Sequence, residues 1–281
     1  MTAETTAFAP AKINLTLHVT GVRDDGYHLL DSLVAFAATG DRVTVREAEE
    51  TRLTVTGPRA GGVPTDGSNL VLRAADLLPG PPVAITLEKH LPAAAGIGGG
   101  SADAAATLRA LARLRGTAPP APEEALRLGA DVPACLVARP CRMSGIGEEI
   151  AEVPPLPPVW FVLANPGAPV ATPEAFGALG RKDNASMPPE LPHWPDAAAF
   201  ARWLATQRND LEDPARVLAP AVGVVLSRLA ATEGCLLARM SGSGATCFGL
   251  YASAPEAEAA AASLRGMHAG WWITATGLHA A

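Results

Sequence analysis

The sequence predicts an α+β protein folded as two domains. Three observations carry this. Segments with strand-like alternation and segments with helical spacing are mixed along the chain without strictly alternating, which favours α+β over a doubly wound sheet. A proline run, Pro154 to Pro158, interrupts the chain near its middle, and proline continues neither kind of regular structure. The 281 residues also exceed what one modest core usually fills. The proline run sets a first domain at residues 1–153 and a second at 159–281.

The first strong element is Ala11 to Val19. Apolar Ala11, Ile13, Leu15, Leu17 and Val19 alternate with Lys12, Asn14, Thr16 and His18, which predicts a strand with one buried face and one polar face. Gly21 to Gly26 reads as a turn. Tyr27 to Ala38, Asp41 to Val45 and Leu53 to Thr56 read as separate strands, and residues 57–68, rich in Gly and Pro, as a loop. Asn69 to Leu78 is amphipathic and helical, and Val83 to Leu87 is a strand. A glycine-dense loop, Pro92 to Ser101, opens onto an Ala/Leu helix running from about Ala102 to Leu114. A short helix near Glu123 to Leu128 leads into Gly129-Ala-Asp-Val-Pro133. In the second half, strands are expected at Val159 to Ala164 and at Trp271 to Thr276, with two more pieces around the turn Ser241-Gly-Ser-Gly244. Helices are expected near Ala197 to Gln207, Ala219 to Thr232 and Pro255 to Leu264.

Composition excludes several classes. With 48% hydrophobic and 18% charged residues the chain is globular rather than disordered. A net charge of -6 without a Lys/Arg cluster makes it a poor nucleic-acid binder. Cys135, Cys141, Cys235 and Cys247 form no Cys-x-x-Cys pair and lack a His at ligand spacing, so free thiols in a reducing compartment are expected, and no metal-ligating residues are assigned. No secretory leader is visible at the start, and apolar stretches are too short to span a membrane. A cytoplasmic protein with no membrane partner is the expectation.

The loop Pro92 to Ser101 carries the clearest chemistry. Gly96, Gly98, Gly99 and Gly100 clear side chains from the backbone just where a helix begins. A helix N-terminus offers unpaired N–H groups and partial positive charge, which suits a polyphosphate. Ser101 adds a hydroxyl for a phosphate or Mg²⁺. The same glycines would also serve a flexible linker. The loop lacks the Gly-Lys-Ser/Thr of a Walker A loop and does not fit the dinucleotide fingerprint, whose acidic partner about twenty residues on is also missing. Asp131, taken alone, reads as a helix N-cap followed by Pro133. A carboxylate held there can also accept a proton from a substrate hydroxyl. Lys12 reads as a solvated charge or as a cation for phosphoryl transfer, and Lys with Asp is a sensible pair for that reaction. The turn Ser241 to Thr246 reads as an ordinary hairpin or a second backbone clamp, and Tyr27 and Phe176 as core aromatics or base-stacking platforms. Asn209 to Glu212 reads as a helix start.

In sequence order, Pro10-Ala-Lys-Ile-Asn14, Pro92-x-x-x-Gly-Ile-Gly-Gly-Gly-Ser-Ala102 and Ser241-Gly-Ser-Gly-Ala245 resemble the three motifs of the GHMP kinases. Gly26-Tyr-His28, Leu128 to Pro133, Gly145-Ile-Gly-Glu148, Asn165-Pro-Gly167 with Thr172-Pro173, and Asn209 to Glu212 resemble the subgroup acting on cytidine diphosphate methylerythritol. The resemblance implies an ATP-binding N-terminal domain of the ribosomal protein S5 domain 2-like kind, a ferredoxin-like C-terminal α/β sandwich, and an active site in the interdomain cleft. It implies ATP held by Pro92, Ala93, Ala94, Ala95, Gly96, Ile97, Gly98, Gly99, Gly100, Ser101 and Ala102, with Lys89 and Asn69 near the adenine. Lys12 and Asp131 match the catalytic pair. Tyr27 and Phe176 match the aromatics that sandwich the cytosine, His28 the residue reading its edge, and Asn14 and Thr172 further substrate contacts. Mg²⁺ is expected with ATP, a small molecule is the expected partner, and the chain is expected to be a monomer or weak homodimer.

Two other readings compete. A GHMP kinase for another alcohol would not need the Tyr27/Phe176 pair, and a catalytically silent nucleotide-binding regulator would not need both Lys12 and Asp131. One departure stands out: Ser101-Ala-Asp103 replaces the Ser-Ser-Asn of some relatives, which puts a carboxyl where it would cap the helix or approach the metal.

Overall fold

The computed structural model describes residues 3–280. In chain order the first elements are β1 (Glu4–Asn14), β2 (His18–Val22), β3 (His28–Glu47), β4 (Arg52–Thr56), α1 (Leu70–Leu77), β5 (Val83–Glu88), α2 (Gly99–Arg115), α3 (Pro122–Ala125) and α4 (Val132–Val137). They are followed by β6 (Cys141–Gly145), β7 (Glu149–Glu152), β8 (Trp160–Asn165), α5 (Thr172–Gly177), α6 (Ala197–Ala205), α7 (Glu212–Leu218), α8 (Ala221–Ala230), β9 (Leu237–Met240), β10 (Cys247–Tyr251), α9 (Ala254–Met267) and β11 (Trp272–Gly277). The chain divides into two units. One contains the start of the chain up to Lys12, Gly40–Ala93 and Gly98–Ala138, and the other Ile13–Thr39, Ala94–Ile97 and the chain from Arg139 onward.

In the first unit β5 is the central strand. It pairs antiparallel with β3 from Arg42↔Glu88 to Glu47↔Val83, and parallel with β4 from Arg52↔Ala84 to Thr56↔Glu88. Helix α2 is buried nearly all round, with Ala102, Ala104, Ala105, Ala106, Ala110 and Ala112 among its buried residues. Such small side chains let α1 and α4 pack closely against it, which fixes the N-terminus of α2 in a rigid setting. Asn69 caps α1 by accepting from the Val71 N–H and donates to the Pro64 carbonyl.

The second unit contains an antiparallel sheet in the order β11-β8-β10-β9. Numbered within that sheet the order is fourth, first, third, second, which is the ferredoxin-like arrangement. Helices α8 and α9 cover it through Val222, Val225, Leu229, Ala257, Ala261 and Leu264, which meet Val162, Ala164, Cys247 and Tyr251 in one core. In the same unit β2, the first half of β3, β6 and β7 form an antiparallel set. The irregular stretch before α6 is tied down by Asp31 and Arg142. Their carboxylate–guanidinium bonds measure 2.7 and 2.8 Å, and Arg142 also donates to the carbonyls of Met187, Pro188 and Pro189.

Several expectations need correction. The strand expected over Ala11–Val19 is two strands, β1 and β2, interrupted between Asn14 and His18. Its polar face is not exposed: Lys12, Asn14, Thr16 and His18 are all buried, and each has a hydrogen-bond partner. Alternation reported the two faces correctly, but a polar face can be buried when every polar group is satisfied. The strands expected at Tyr27–Ala38 and Asp41–Val45 are one strand, β3. Gly40 does not break it but admits a close neighbour, since a Cβ there would lie 2.2 Å from the Ala9 carbonyl oxygen. Helix α2 begins at Gly99, earlier than expected, so Ser101 lies inside its first turn. The hairpin β6–β7 and the short helix α5 had no sequence signal strong enough to find them, whereas α7 follows the helix start expected at Asn209 to Glu212.

Gly40→Ala is expected to destabilise the protein by about 1–3 kcal/mol, because the strands must part to admit the methyl group. A urea midpoint equal to that of the parent would show that the Ala9–Gly40 approach is not tight.

Candidate active site

In the first unit the Lys12 Nζ is ion-paired with the Asp131 Oδ1. The lysine is buried, whereas the carboxylate is 37% exposed, so one oxygen side stays open to a ligand. Asp131 sits at the N-cap position of α4, yet its side chain makes no capping hydrogen bond. The capping role expected of it is therefore not the one it plays, and the carboxylate is committed to Lys12 instead. Gly98, at φ 61°, begins α2, and a Cβ on it would lie 3.1 Å from the Lys12 Cβ. The N-terminus of α2, the lysine and the carboxylate thus meet at one place. No side chain caps this helix end, which leaves its first-turn amides to an anion. A cation, an open carboxylate and a helix N-terminus together suit transfer of a phosphoryl group to a hydroxyl.

In the same unit lies a second charged cluster, which includes Asp103 of the first turns of α2. Lys89 is buried, and its Nζ bonds the Asp41 Oδ2 and, at 2.8 Å, the Asp103 Oδ2. Asp41 is fully engaged, since its other oxygen accepts from the amides of His90 and Leu91 at 2.6 and 2.9 Å. The Asp103 Oδ1 is buried with no hydrogen-bond partner. Asp103 therefore neither caps α2 nor presents a free carboxylate. Burial pulls the Lys89 ammonium down, but Asp103 and Asp41 together hold it above its ordinary value. Burial pushes the Asp103 carboxyl up to about 7 against the pull of Lys89, with the Asp41 charge adding to the rise.

In the second unit the two glycine-rich segments touch. The Ser241 hydroxyl accepts from the Asn14 N–H at 3.1 Å and donates to the Gly96 carbonyl at 2.9 Å, and the Thr246 N–H donates to the Ala95 carbonyl at 3.1 Å. A Cβ on Gly96 would lie 2.5 Å from the Ser241 carbonyl oxygen, so only glycine allows this approach. The turn is a hairpin between β9 and β10, as one reading of the sequence had it, and it also braces the first loop. Asn209 braces the turn in its own right, donating to the carbonyls of Met240 and Gly242 at 2.8 and 2.9 Å while its Oδ1 accepts from the Leu211 N–H. The helix start expected at Asn209 to Glu212 is present, with α7 beginning at Glu212. The Asn14 side chain donates to the Ser32 hydroxyl at 2.8 Å, and Thr172 shares a 2.8 Å hydroxyl bond with Ser243.

The aromatic residues are arranged differently from a ready-made sandwich. His28 stacks on Phe176, with ring centroids 4.6 Å apart, whereas Tyr27 is 59% exposed. The His28 Nε2 is buried without a hydrogen-bond partner. Burial and the nearby Lys182 hold His28 below its ordinary pKa, which leaves it neutral at physiological pH. Asp41 in the first unit and Ser32 in the second were not singled out from sequence, because no local pattern marks a contact made far along the chain.

Both halves of the chain match one family. Residues 69–141 match the family described as GHMP kinases N terminal domain, and residues 189–269 the one described as GHMP kinases C terminal. The chain belongs to the GHMP kinases. It is 59% identical over 270 residues to a protein of Cereibacter sphaeroides named 4-diphosphocytidyl-2-C-methyl-D-erythritol kinase, covering 96% of this chain and 97% of that one. A protein of the same name from Paramagnetospirillum magneticum is 54% identical, with 94% and 95% covered. A crystal structure of 4-(cytidine 5'-diphospho)-2C-methyl-D-erythritol kinase matches with a TM-score of 0.78 at 37% identity, covering 98% of this chain and 100% of that one. A homoserine kinase from Cytophaga hutchinsonii shares the fold, with a TM-score of 0.65 at 18% identity and coverage of 98% and 95%. Among the described residues no helix is long and apolar enough to cross a membrane.

Asp103→Asn tests the charge state of the buried cluster. A carboxyl whose folded pKa is raised holds an extra proton in the folded protein between its unfolded value, about 4, and its folded value. Its presence therefore costs increasing stability as pH rises through that window. The variant should match the parent near about pH 4 and melt higher than the parent near about pH 8. A variant that melts lower at the alkaline end would mean that the ionised carboxylate is needed.

Proposed function

We propose that this chain transfers the γ-phosphate of ATP to the 2-hydroxyl of 4-diphosphocytidyl-2-C-methyl-D-erythritol, giving the 2-phosphate and ADP, a step in non-mevalonate isoprenoid precursor synthesis. The observation that carries the reaction type is the Lys12–Asp131 pair against the start of α2. The substrate follows from relatives that share more than half of their residues with this chain and bear that enzyme's name.

In this reading Asp131 accepts the proton of the 2-hydroxyl as its oxygen attacks the γ-phosphorus. Lys12 holds the carboxylate in place and offsets charge on the transferring group. The loop from Pro92 to Ala102 cradles the phosphates with backbone amides, and Asn69 and the backbone near Lys89 lie toward the adenine. Lys89 contributes its ammonium to Asp41 and Asp103 rather than to the nucleotide. Asn14 and Thr172 contact the substrate. Tyr27 and Phe176 enclose the cytosine, and His28 meets its polar edge through the unpartnered Nε2. An exposed tyrosine ring gains contact when a base covers it, and this favours Tyr27 as the closing face.

Mg²⁺ would arrive with the ATP phosphates. Among the described residues no three His, Cys, Asp or Glu side chains cluster in a way that could hold a metal, and Asp103 is committed to Lys89. Mg²⁺ keeps most of its ligands as phosphate and water, so the Ser101 hydroxyl in the first turn of α2 suffices as a protein contact. The ion would neutralise charge on the β- and γ-phosphates.

Mixing the protein with Mg-ATP and 4-diphosphocytidyl-2-C-methyl-D-erythritol should release ADP, with homoserine and mevalonate as inactive controls. Faster turnover of either control would displace the substrate assignment. Asp131→Ala should lower kcat by about 10²–10⁴-fold while ATP still binds, and a variant close to the parental rate would remove the proposed base. Tyr27→Ala should raise KM for the cytidine substrate by the equivalent of about 1–3 kcal/mol, with KM for ATP unchanged.

A further inference from the structure

We propose that Arg109 is a positioning residue for the Lys12–Asp131 pair, because one guanidinium joins the strand that carries the lysine to the helix that begins at the aspartate. The inference rests on the reading of that pair as the catalytic one. Arg109 lies in the middle of α2, about two turns beyond Ser101. Its Nη2 donates to the Phe8 carbonyl at 2.7 Å, and its Nη1 donates to the carbonyls of Cys135 and Leu136 at 2.7 and 3.4 Å. Phe8 is on β1, and Cys135 and Leu136 are in α4. Arg109 therefore ties together the helix that begins at the glycine loop, the strand that carries Lys12 and the helix that begins at Asp131.

The grip is short-range at the aspartate end. Helix α4 has only six residues, and the Cys135 N–H donates to the Asp131 carbonyl at 3.1 Å. Arg109 thus holds the carbonyl of the residue whose N–H is bonded to Asp131. The helix depends on this hold for two reasons. At its start Asp131 makes no side-chain cap, because the carboxylate faces Lys12. At its end Ala138 turns left-handed at φ 52°, so the last carbonyls cannot be met by a continuing helix. A positive group at that end also complements the helix dipole. A helix whose start is freed for chemistry is fastened at its other end.

The side-chain type matters. The acceptors lie in two directions, toward β1 and toward α4, and a planar fork reaches both at once. A lysine ammonium keeps the charge but cannot span both sets of acceptors with the same geometry. A shift of the reacting groups by about 1 Å can cost 10²-fold in rate. Arg109 touches neither reacting group, so its influence passes through the placement of the pair.

The test uses Arg109→Lys in the parent and in an Asp131→Asn background, with Mg-ATP and 4-diphosphocytidyl-2-C-methyl-D-erythritol as substrates and thermal melting as the check on folding. Arg109→Lys should fold, lower kcat by about ten- to hundredfold and leave KM for ATP within about twofold. In the Asp131→Asn background the same change should alter the residual rate by less than about threefold, because no pair is left to align. A folded Arg109→Lys protein with parental kcat overturns the proposal. So does an equal loss in both backgrounds, which marks Arg109 as scaffold alone. If Asp131→Asn itself keeps the parental rate, it is the reading of Asp131 as base that fails, and the proposal falls with it. Arg109→Gln, which retains a donor toward Cys135, replaces the lysine variant if that one does not fold, and failure of both to fold also overturns the proposal.

Discussion

The ion pair between Lys12 and Asp131 is the interaction on which the first unit's design turns. Lys12 is buried, and a buried ammonium without a partner is prohibitively costly. The strand, the helix start and the end of the glycine loop must therefore converge wherever that lysine goes. Buried ion pairs return little net stability, since desolvation offsets most of their attraction. Their retention needs another reason, and here the pair leaves a carboxylate open on one side next to a helix N-terminus. What the pair supplies is orientation rather than strength: the ammonium fixes the carboxylate beside the start of α2.

The glycines serve this arrangement through contact as much as through flexibility. Gly98 is needed where α2 starts against Lys12, and Gly96 where the first loop meets the Ser241 turn. A phosphate cradle formed from backbone must keep its shape before the ligand arrives, or ordering it would consume binding energy. Ser241 and Asn209 supply that order in the second unit with ordinary hydrogen bonds to main-chain atoms. Such bonds read as structural, yet they set the conformation of the loop around Gly96.

Much of this was legible in the sequence where pattern and chemistry coincide. The glycine loop opening onto a helix, the amphipathic α1 and the strands flanking Ser241–Gly244 are all local features. What sequence could not show is long-range. Alternation located the faces of the first strand but not that Thr16, His18 and their neighbours would be covered, because burial of a polar face depends on partners such as Met187 and Ala185, far along the chain. Gly40 looked like a break because nothing local indicates that Ala9 needs the space. Asp41 lies 48 residues from the lysine it pairs with, and Arg109 lies 101 residues from the Phe8 carbonyl it holds. No motif spacing encodes either contact.

The one departure from the family pattern can now be given a physical meaning. One ammonium, Lys89, faces two buried carboxyl groups, so full ionisation would leave an uncompensated negative charge. Two backbone amides as well as Lys89 donate to Asp41, whereas the Asp103 Oδ1 is buried without a partner. The proton then resides on Asp103, whose carboxyl is pushed up to about 7 chiefly by burial. A protonated aspartic acid presents an acceptor and a donor on one planar group, as asparagine does. A protonated Asp103 therefore places a neutral planar group beside Lys89. An aspartate here leaves the charge beside Lys89 close to that of an asparagine well below neutral pH. It makes that charge pH-dependent in this chain, because only a carboxyl can release its proton as the solution becomes alkaline.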